Sequence, residues 1–166
     1  KEMYFTDNGR DWMGDDIPPC ELNRVVNAGD HFGFPFVHGK NIQDTGFEAP
    51  EDFVFSQPVW EFQAHTAPLG IKFYDGESFP EYYRNGAFVA QHGSWNRSEK
   101  VGYRLLFMKM EEGNVLSADV FIDGWMSNET SWGRPVTPLI LKDGSCHLLE
   151  LMAVSYTHLT LPTTTI

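Results

Sequence analysis

Punctuation constrains this fold more than composition does. Short apolar and aromatic runs recur along the chain, separated by glycine, proline and asparagine, and no amphipathic stretch is long enough for a substantial helix. Leu69-Gly70-Ile71-Lys72-Phe73-Tyr74 and Ala87-Phe88-Val89-Ala90-Gln91 read as strands, and residues 103–110 and 115–123 flank Glu111-Glu112-Gly113-Asn114 as an antiparallel hairpin. Strands this short at this spacing indicate an all-β sandwich, barrel or propeller. No exact internal repeat is visible, and divergent propeller blades need not show one.

Residues 3–6 form another aromatic and β-branched run, ending in Asp7-Asn8-Gly9, where Asn-Gly favours positive φ and turns main-chain carbonyls outward. Such carbonyls suit a hard cation like calcium. A plain hairpin turn with solvated acids is the alternative reading of the same residues. Asp15-Asp16 and Pro18-Pro19 then mark a loop, and Leu22, Val25 and Val26 a strand closed by Asn27-Ala28-Gly29-Asp30. Phe32, Phe34 and Phe36 alternate with Gly33, Pro35 and Val37, the period of an extended segment with its aromatics on one core-filling face. Residues 41–63 read as a long excursion, with Phe53-Val54-Phe55 and residues 59–62 as short edge strands. Residues 78–86 carry the signals of a single helical turn: Ser78 as cap, Pro80 early and Gly86 closing.

The 166 residues suffice for one domain, and an aromatic content of 14% suits a β-rich core. A formal charge of −11 argues against nucleic acid and anionic membrane surfaces as partners and is compatible with a small neutral substrate. No apolar run approaches the roughly 18 residues of a membrane span. Cys20 and Cys146 sit in no metal-type spacing, and neither do His31 and His38, so zinc is unsupported.

Three motifs in order carry a resemblance. The first is Asp7-Asn8-Gly9-Arg10 with the following Glu21-Leu22-Asn23 and Gly33-Phe34-Pro35. The second is GAFVAQHGSWNRS at residues 86–98 and the third is WGRPV at residues 132–136. Together they resemble the soluble pyrroloquinoline quinone (PQQ)-dependent glucose/sorbosone dehydrogenases, in their L-sorbosone dehydrogenase-like branch, over nearly the whole chain up to about Gly144. That resemblance implies an all-β propeller of roughly six four-stranded blades, of which a chain of this length holds about three. Residues 1–153 are therefore expected to be a C-terminal fragment of the propeller domain, inactive alone. The implied reaction is oxidation of an aldose, sorbosone or similar sugar by hydride transfer to PQQ. An external electron acceptor and a periplasmic or secreted setting go with it. A non-catalytic propeller binding a protein or carbohydrate partner is the alternative.

The resemblance also assigns roles. The main-chain carbonyls of Gly9 and Arg10 would hold calcium, and Arg134 would grip a carboxylate of the quinone with its planar fork. His92 stands near where relatives place a cofactor-contacting lysine and would donate a hydrogen bond or polarise the quinone; Arg97 is a secondary candidate for the same anionic patch. The general base of the family is a histidine of an early blade, which none of His31, His38 and His65 matches, so no catalytic residue is assigned. Trp95 fits either a sugar-stacking platform or a loop anchor.

From Val154 the register changes. VSYTHLTLPT, at residues 154–163, resembles the translation of a transposase adapter used in sequencing libraries, so residues 154–166 are set apart as a non-native tail that continues no strand.

Overall fold

A computed structural model of the chain describes residues 2–151 together with the backbone of Tyr156–Leu159. In chain order its strands are β1 (Met3–Asp7), β2 (Cys20–Val25), β3 (Val37–His38), β4 (Ile42–Gln43), β5 (Trp60–Phe62), β6 (Pro68–Phe73) and β7 (Ala87–Gln91). They continue as β8 (Arg104–Glu111), β9 (Asn114–Ile122), β10 (Met126–Ser127), β11 (Thr130–Ser131), β12 (Arg134–Ile140), β13 (Cys146–Leu151) and β14 (Tyr156–Leu159). Three antiparallel sheets follow one another, in the orders β1-β2-β5, β6-β7-β8-β9 and β12-β13-β14, and their first strands β1, β6 and β12 lie side by side. Sheets that fan out from adjacent first strands are the blades of a β-propeller, here a partial one.

The middle blade explains the strong strand signal of AFVAQ. Every residue of β7 is buried, because this central strand is covered on both faces. Period-two alternation sorts the side chains. Phe88, Ala90, Leu105 and Phe107 join Tyr74, Phe79, Trp125, Cys146 and Leu148 in a core facing the third blade. Val89, Leu106 and Met108 meet Cys20, Leu22 and Phe62 of the first blade on the other side. Cys20 and Cys146 thus lie in separate cores as free thiols.

Two bulges stitch the first strands together. Pairing slips between Pro68 and Ile71 in β6 and between Pro135 and Thr137 in β12. A bulge disrupts the ladder locally and leaves main-chain groups for other partners. The hydroxyl of Thr6 donates to the Leu69 carbonyl at 2.6 Å, and the His92 ring meets the Pro135 carbonyl at 3.0 Å. Between the bulges the strands close on one another at Gly70, where an added Cβ would lie 2.6 Å from the Cα of Thr137.

Some local expectations are corrected. Residues 33–36 turn, with the Phe36 N–H donating to the Gly33 carbonyl at 2.9 Å and Gly33 at φ 98°, so the alternating phenylalanines do not share one extended face. Phe32 packs edge-on to Phe5, Phe36 packs on Phe53, and Phe34 is exposed. Phe53-Val54-Phe55 is not a strand: β5 already occupies the edge beside β2. The helical turn exists as a 3-10 turn at Glu81–Tyr83, but Pro80 precedes it without a side-chain cap, and the Ser78 hydroxyl donates instead to the Asp143 carbonyl.

The tail also departs from expectation in part, since Tyr156–Leu159 pairs with Leu149 to Cys146 of β13. An unpaired strand edge accepts any extended neighbour through its main chain, and threonine and tyrosine favour that conformation. The reading of residues 154–166 as adapter-derived otherwise falls outside the described residues.

Tyr74 links the middle and third blades. Its hydroxyl donates to the Gly144 carbonyl at 3.1 Å and accepts the Phe79 N–H at 2.8 Å, wholly buried. Tyr74→Phe is expected to cost about 2 kcal/mol, because a buried N–H is left without its acceptor. A urea midpoint unchanged from wild type would show that the hydroxyl is dispensable.

Candidate functional site

The turn after β1 is wider than a hairpin. Asp7 pairs with Glu21, so residues 8–19 form a loop over the end of the first blade. Gly9 is not in the left-handed region; the positive φ values of this loop belong to Trp12 (69°) and Gly14 (125°), which corrects the Asn-Gly expectation. Glycine is needed at this position for space, since a Cβ would stand 2.6 Å from the Pro19 carbonyl oxygen and 2.8 Å from that of Pro18. No described residue donates a hydrogen bond to the carbonyls of Gly9 or Arg10.

The Arg10 side chain ion-pairs with buried Asp44, which also meets His38 Nε2 at 2.9 Å and accepts the Gly46 N–H at 2.8 Å. Arg10 first, then His38 and Gly46, hold the Asp44 carboxyl well below the usual carboxylate range. Burial pushes Asp7 and Glu21 the other way, above their ordinary values. Glu21 is anchored by the Gly39 N–H at 2.6 Å and by Asn23 Nδ2 at 2.9 Å.

His92 and Arg134 come together from different blades. The Arg134 guanidinium donates to the main-chain carbonyls of His92, at 3.2 Å, and Gly93, and lies over the Tyr103 ring at 5.4 Å. Among the described residues it has no ion-pair partner, whereas Arg10 and Arg97 each face a carboxylate. The His92 pKa is lowered, by burial above all and further by Arg134, while the Pro135 contact opposes. The ring is therefore neutral near pH 7. A carbonyl only accepts, so Nδ1 carries the hydrogen and donates to Pro135, leaving Nε2 as an acceptor.

Arg97 is placed elsewhere. It donates to the Asp15 carbonyl and, at 2.9 Å, to Asp16 Oδ1, while the Ser98 N–H donates to Asp15 Oδ1 at 3.0 Å. It clasps the acidic loop rather than joining His92 and Arg134. Arg97→Ala is expected to raise amide exchange across residues 11–16 severalfold while β7 and β8 stay protected. Hydrogen-exchange mass spectrometry checks this, and an unchanged loop would refute the clasp.

Sequence reasoning passed over His65. Its ring is buried, with Nε2 2.7 Å from the Gly14 carbonyl and Nδ1 3.9 Å from Asp11 Oδ1. With Asn8, Gly9, Asp11, Cys20, Ala67 and Trp95 it lines a cavity of about 90 Å³. Trp95 is exposed and packs edge-on to exposed Trp12, 5.6 Å between ring centres. Only the packing of residue 65 against the loop of the first blade reveals this site; a single histidine in Ala-His-Thr-Ala-Pro does not. Among the described residues no group of three or more histidine, cysteine or carboxylate side chains is arranged to hold a metal. A calcium at residues 9–10 would therefore rest on main-chain oxygens and on its ligand.

The sequence profile of the TrAA12-like family matches residues 19–120. An uncharacterized protein of Borreliella burgdorferi is 44% identical over 149 residues, covering 87% of this chain and 39% of that protein. Among solved structures, the calcium structure of Trichoderma reesei Carbohydrate-Active Enzymes Family AA12 superposes with a TM-score of 0.69 at 20% identity, over 89% of this chain and 46% of that one. The holo form of the pyranose dehydrogenase PQQ domain from Coprinopsis cinerea gives 0.57 at 15% identity, over 89% and 48%. The soluble aldose sugar dehydrogenase from Escherichia coli, in its apo form, gives 0.55 at 18% identity, over 87% and 41%. The chain thus spans less than half the length of each of these proteins.

Proposed function

The chain belongs to the TrAA12-like family, and from that premise we propose that it supplies the cofactor-holding part of a PQQ-dependent sugar oxidoreductase. The observation that carries the proposal is Arg134, a partly buried cation held in place by two carbonyls and an aromatic face, with no described carboxylate to neutralise it. An anionic planar ligand fits such a group, and a guanidinium fork suits its carboxylate. The free carbonyls of Gly9 and Arg10 fit a hard cation.

When bound, PQQ with calcium would supply the hydride acceptor for oxidation of a sugar carbon. In this reading Arg134 fixes the cofactor through one carboxylate, its guanidinium held in place by the main-chain carbonyls of His92 and Gly93. Asp44 holds the Arg10 side chain away from the loop, which leaves the carbonyls of residues 9 and 10 to the ion. The substrate is a small neutral sugar, an external acceptor takes the electrons, and the setting is periplasmic or secreted. Among the described residues no helix is long and apolar enough to cross a membrane.

Titration of PQQ into the chain, followed by quinone absorbance with and without calcium, tests the proposal independently of turnover. Saturable, calcium-dependent uptake is expected. No uptake at any calcium concentration would leave a non-catalytic propeller module as the better account.

A further inference from the structure

Tyr103 stands in the left-handed region at φ 54°, an outlying backbone for a bulky aromatic residue, and only 3% of it is exposed. An outlier of this kind persists where its surroundings over-determine it. The Tyr103 hydroxyl donates to the Ser94 carbonyl at 2.5 Å. Ser94 in turn closes its loop on Val101, its N–H donating to the Val101 carbonyl at 2.9 Å and its hydroxyl accepting the Val101 N–H at 3.0 Å. Two glycines leave room for the ring. An added Cβ at Gly93 would lie 2.4 Å from it, and one at Gly102 would lie 2.8 Å from the Cα of Gly93. The ring is thus seated against the residue whose carbonyl accepts from Arg134.

The five N–H groups of Arg134 divide unequally. Nε donates to the His92 carbonyl and Nη2 to the Gly93 carbonyl, so two successive main-chain oxygens take the lateral edge of the guanidinium. Its Cζ lies over the Tyr103 ring, 5.4 Å from the centre. Nη1 donates to no described residue. What remains is the terminal edge, Nη1 beside the second hydrogen of Nη2, spaced for the two oxygens of one carboxylate. Two carbonyls alone would let the guanidinium swing about the edge they hold. The ring face removes that freedom through cation–π attraction.

We infer that Tyr103 is the positioning residue of Arg134: its ring holds the guanidinium so that a carboxylate is taken end-on by both terminal nitrogens. Tyr103 acts through Arg134 and needs no contact with the ligand. This rests on the reading of Arg134 as the carboxylate anchor of the cofactor.

Placement is read first, in the quinone-free chain, from the NMR resonance of the Arg134 Nε–H, assigned by its loss in Arg134→Ala. The ring current of Tyr103 shifts that resonance, and the shift is expected to persist in Tyr103→Phe and to vanish in Tyr103→Leu. The consequence is read by titrating PQQ at saturating calcium and following quinone absorbance. Tyr103→Leu is expected to weaken binding about tenfold and Tyr103→Phe no more than about twofold. Because Tyr103 acts only through Arg134, the double variant of Tyr103→Leu and Arg134→Ala should bind no worse than Arg134→Ala alone. A ring with a purely structural role would add its own loss. If circular dichroism shows that Tyr103→Leu does not fold, a trifluorinated phenylalanine at position 103 takes its place in the titration. It keeps the shape of phenylalanine but weakens the negative ring face, so it should lose affinity where Tyr103→Phe does not. Additive losses, an Arg134 resonance unmoved in Tyr103→Leu, or wild-type affinity in both the leucine and fluorinated variants would overturn the inference. If the wild type takes up no quinone, or Arg134→Ala takes it up equally well, the cofactor reading itself fails. The resonance then still reports whether Tyr103 places the guanidinium.

Discussion

Gly70→Val is expected to abolish cooperative unfolding, or to lower the melting temperature more than any surface substitution. At this point β6 and β12 approach so closely that a Cβ would meet Thr137 Oγ1 at 2.2 Å, its Cβ at 2.4 Å and its Cα at 2.6 Å. The first two contacts belong to a side chain, but the third is backbone, so rotation of Thr137 gives no relief. The strands would have to separate, and with them the neighbouring bonds from Thr6 to Leu69 and from His92 to Pro135. Overpacking of this kind costs about 3 kcal/mol or more, a large share of the roughly 5–15 kcal/mol that stabilises an ordinary domain. Thr137→Ala in the same background should not restore stability, since the Cα remains. Scanning calorimetry of the single and double variants checks both statements, and rescue by alanine would mean that the strands yield.

The residues that announced themselves in the sequence were those whose environment is uniform. Ala87–Gln91 is buried on both faces and reads as an apolar run up to Ala90. Glu112-Gly113, both with positive φ, close the β8–β9 hairpin where glycine marks the turn. The phenylalanines at 32, 34 and 36 had the right period for a strand, yet the left-handed Gly33 breaks the segment, because nothing in their spacing records which main-chain partners are available. The site was legible to a similar degree. Motif order pointed to His92 and Arg134, and the fold brings them together, the Arg134 guanidinium on the His92 carbonyl and the His92 ring on the Pro135 carbonyl beside a bulge in β12, which no spacing in the sequence records. Arg97 was a secondary candidate for the same anionic patch. The acidic loop, distant in the chain, takes its charge instead.

Arg134→Ala and Gly9→Ala are expected to damage quinone binding by different routes, and calcium tells them apart. Truncating Arg134 removes a charge-assisted contact worth about 1.5–3 kcal/mol, or roughly 10- to 150-fold in affinity, while leaving the loop at residues 8–19 intact. The calcium concentration at half-saturation should therefore barely move. Gly9→Ala leaves Arg134 in place but drives a Cβ into the carbonyls of Pro18 and Pro19, so the loop must shift and carry its own carbonyls off the ion. More calcium should then be required, with quinone affinity approaching wild type once it is supplied. Gly9→Asn separates space from conformation, because asparagine tolerates a left-handed backbone far better than alanine does. Since Gly9 is not left-handed and its constraint is the 2.6 Å approach to Pro19, asparagine should do no better than alanine. Recovery of calcium affinity by asparagine would return the explanation to positive φ, and an Arg134→Ala variant that binds the quinone as wild type does would remove Arg134 from the site.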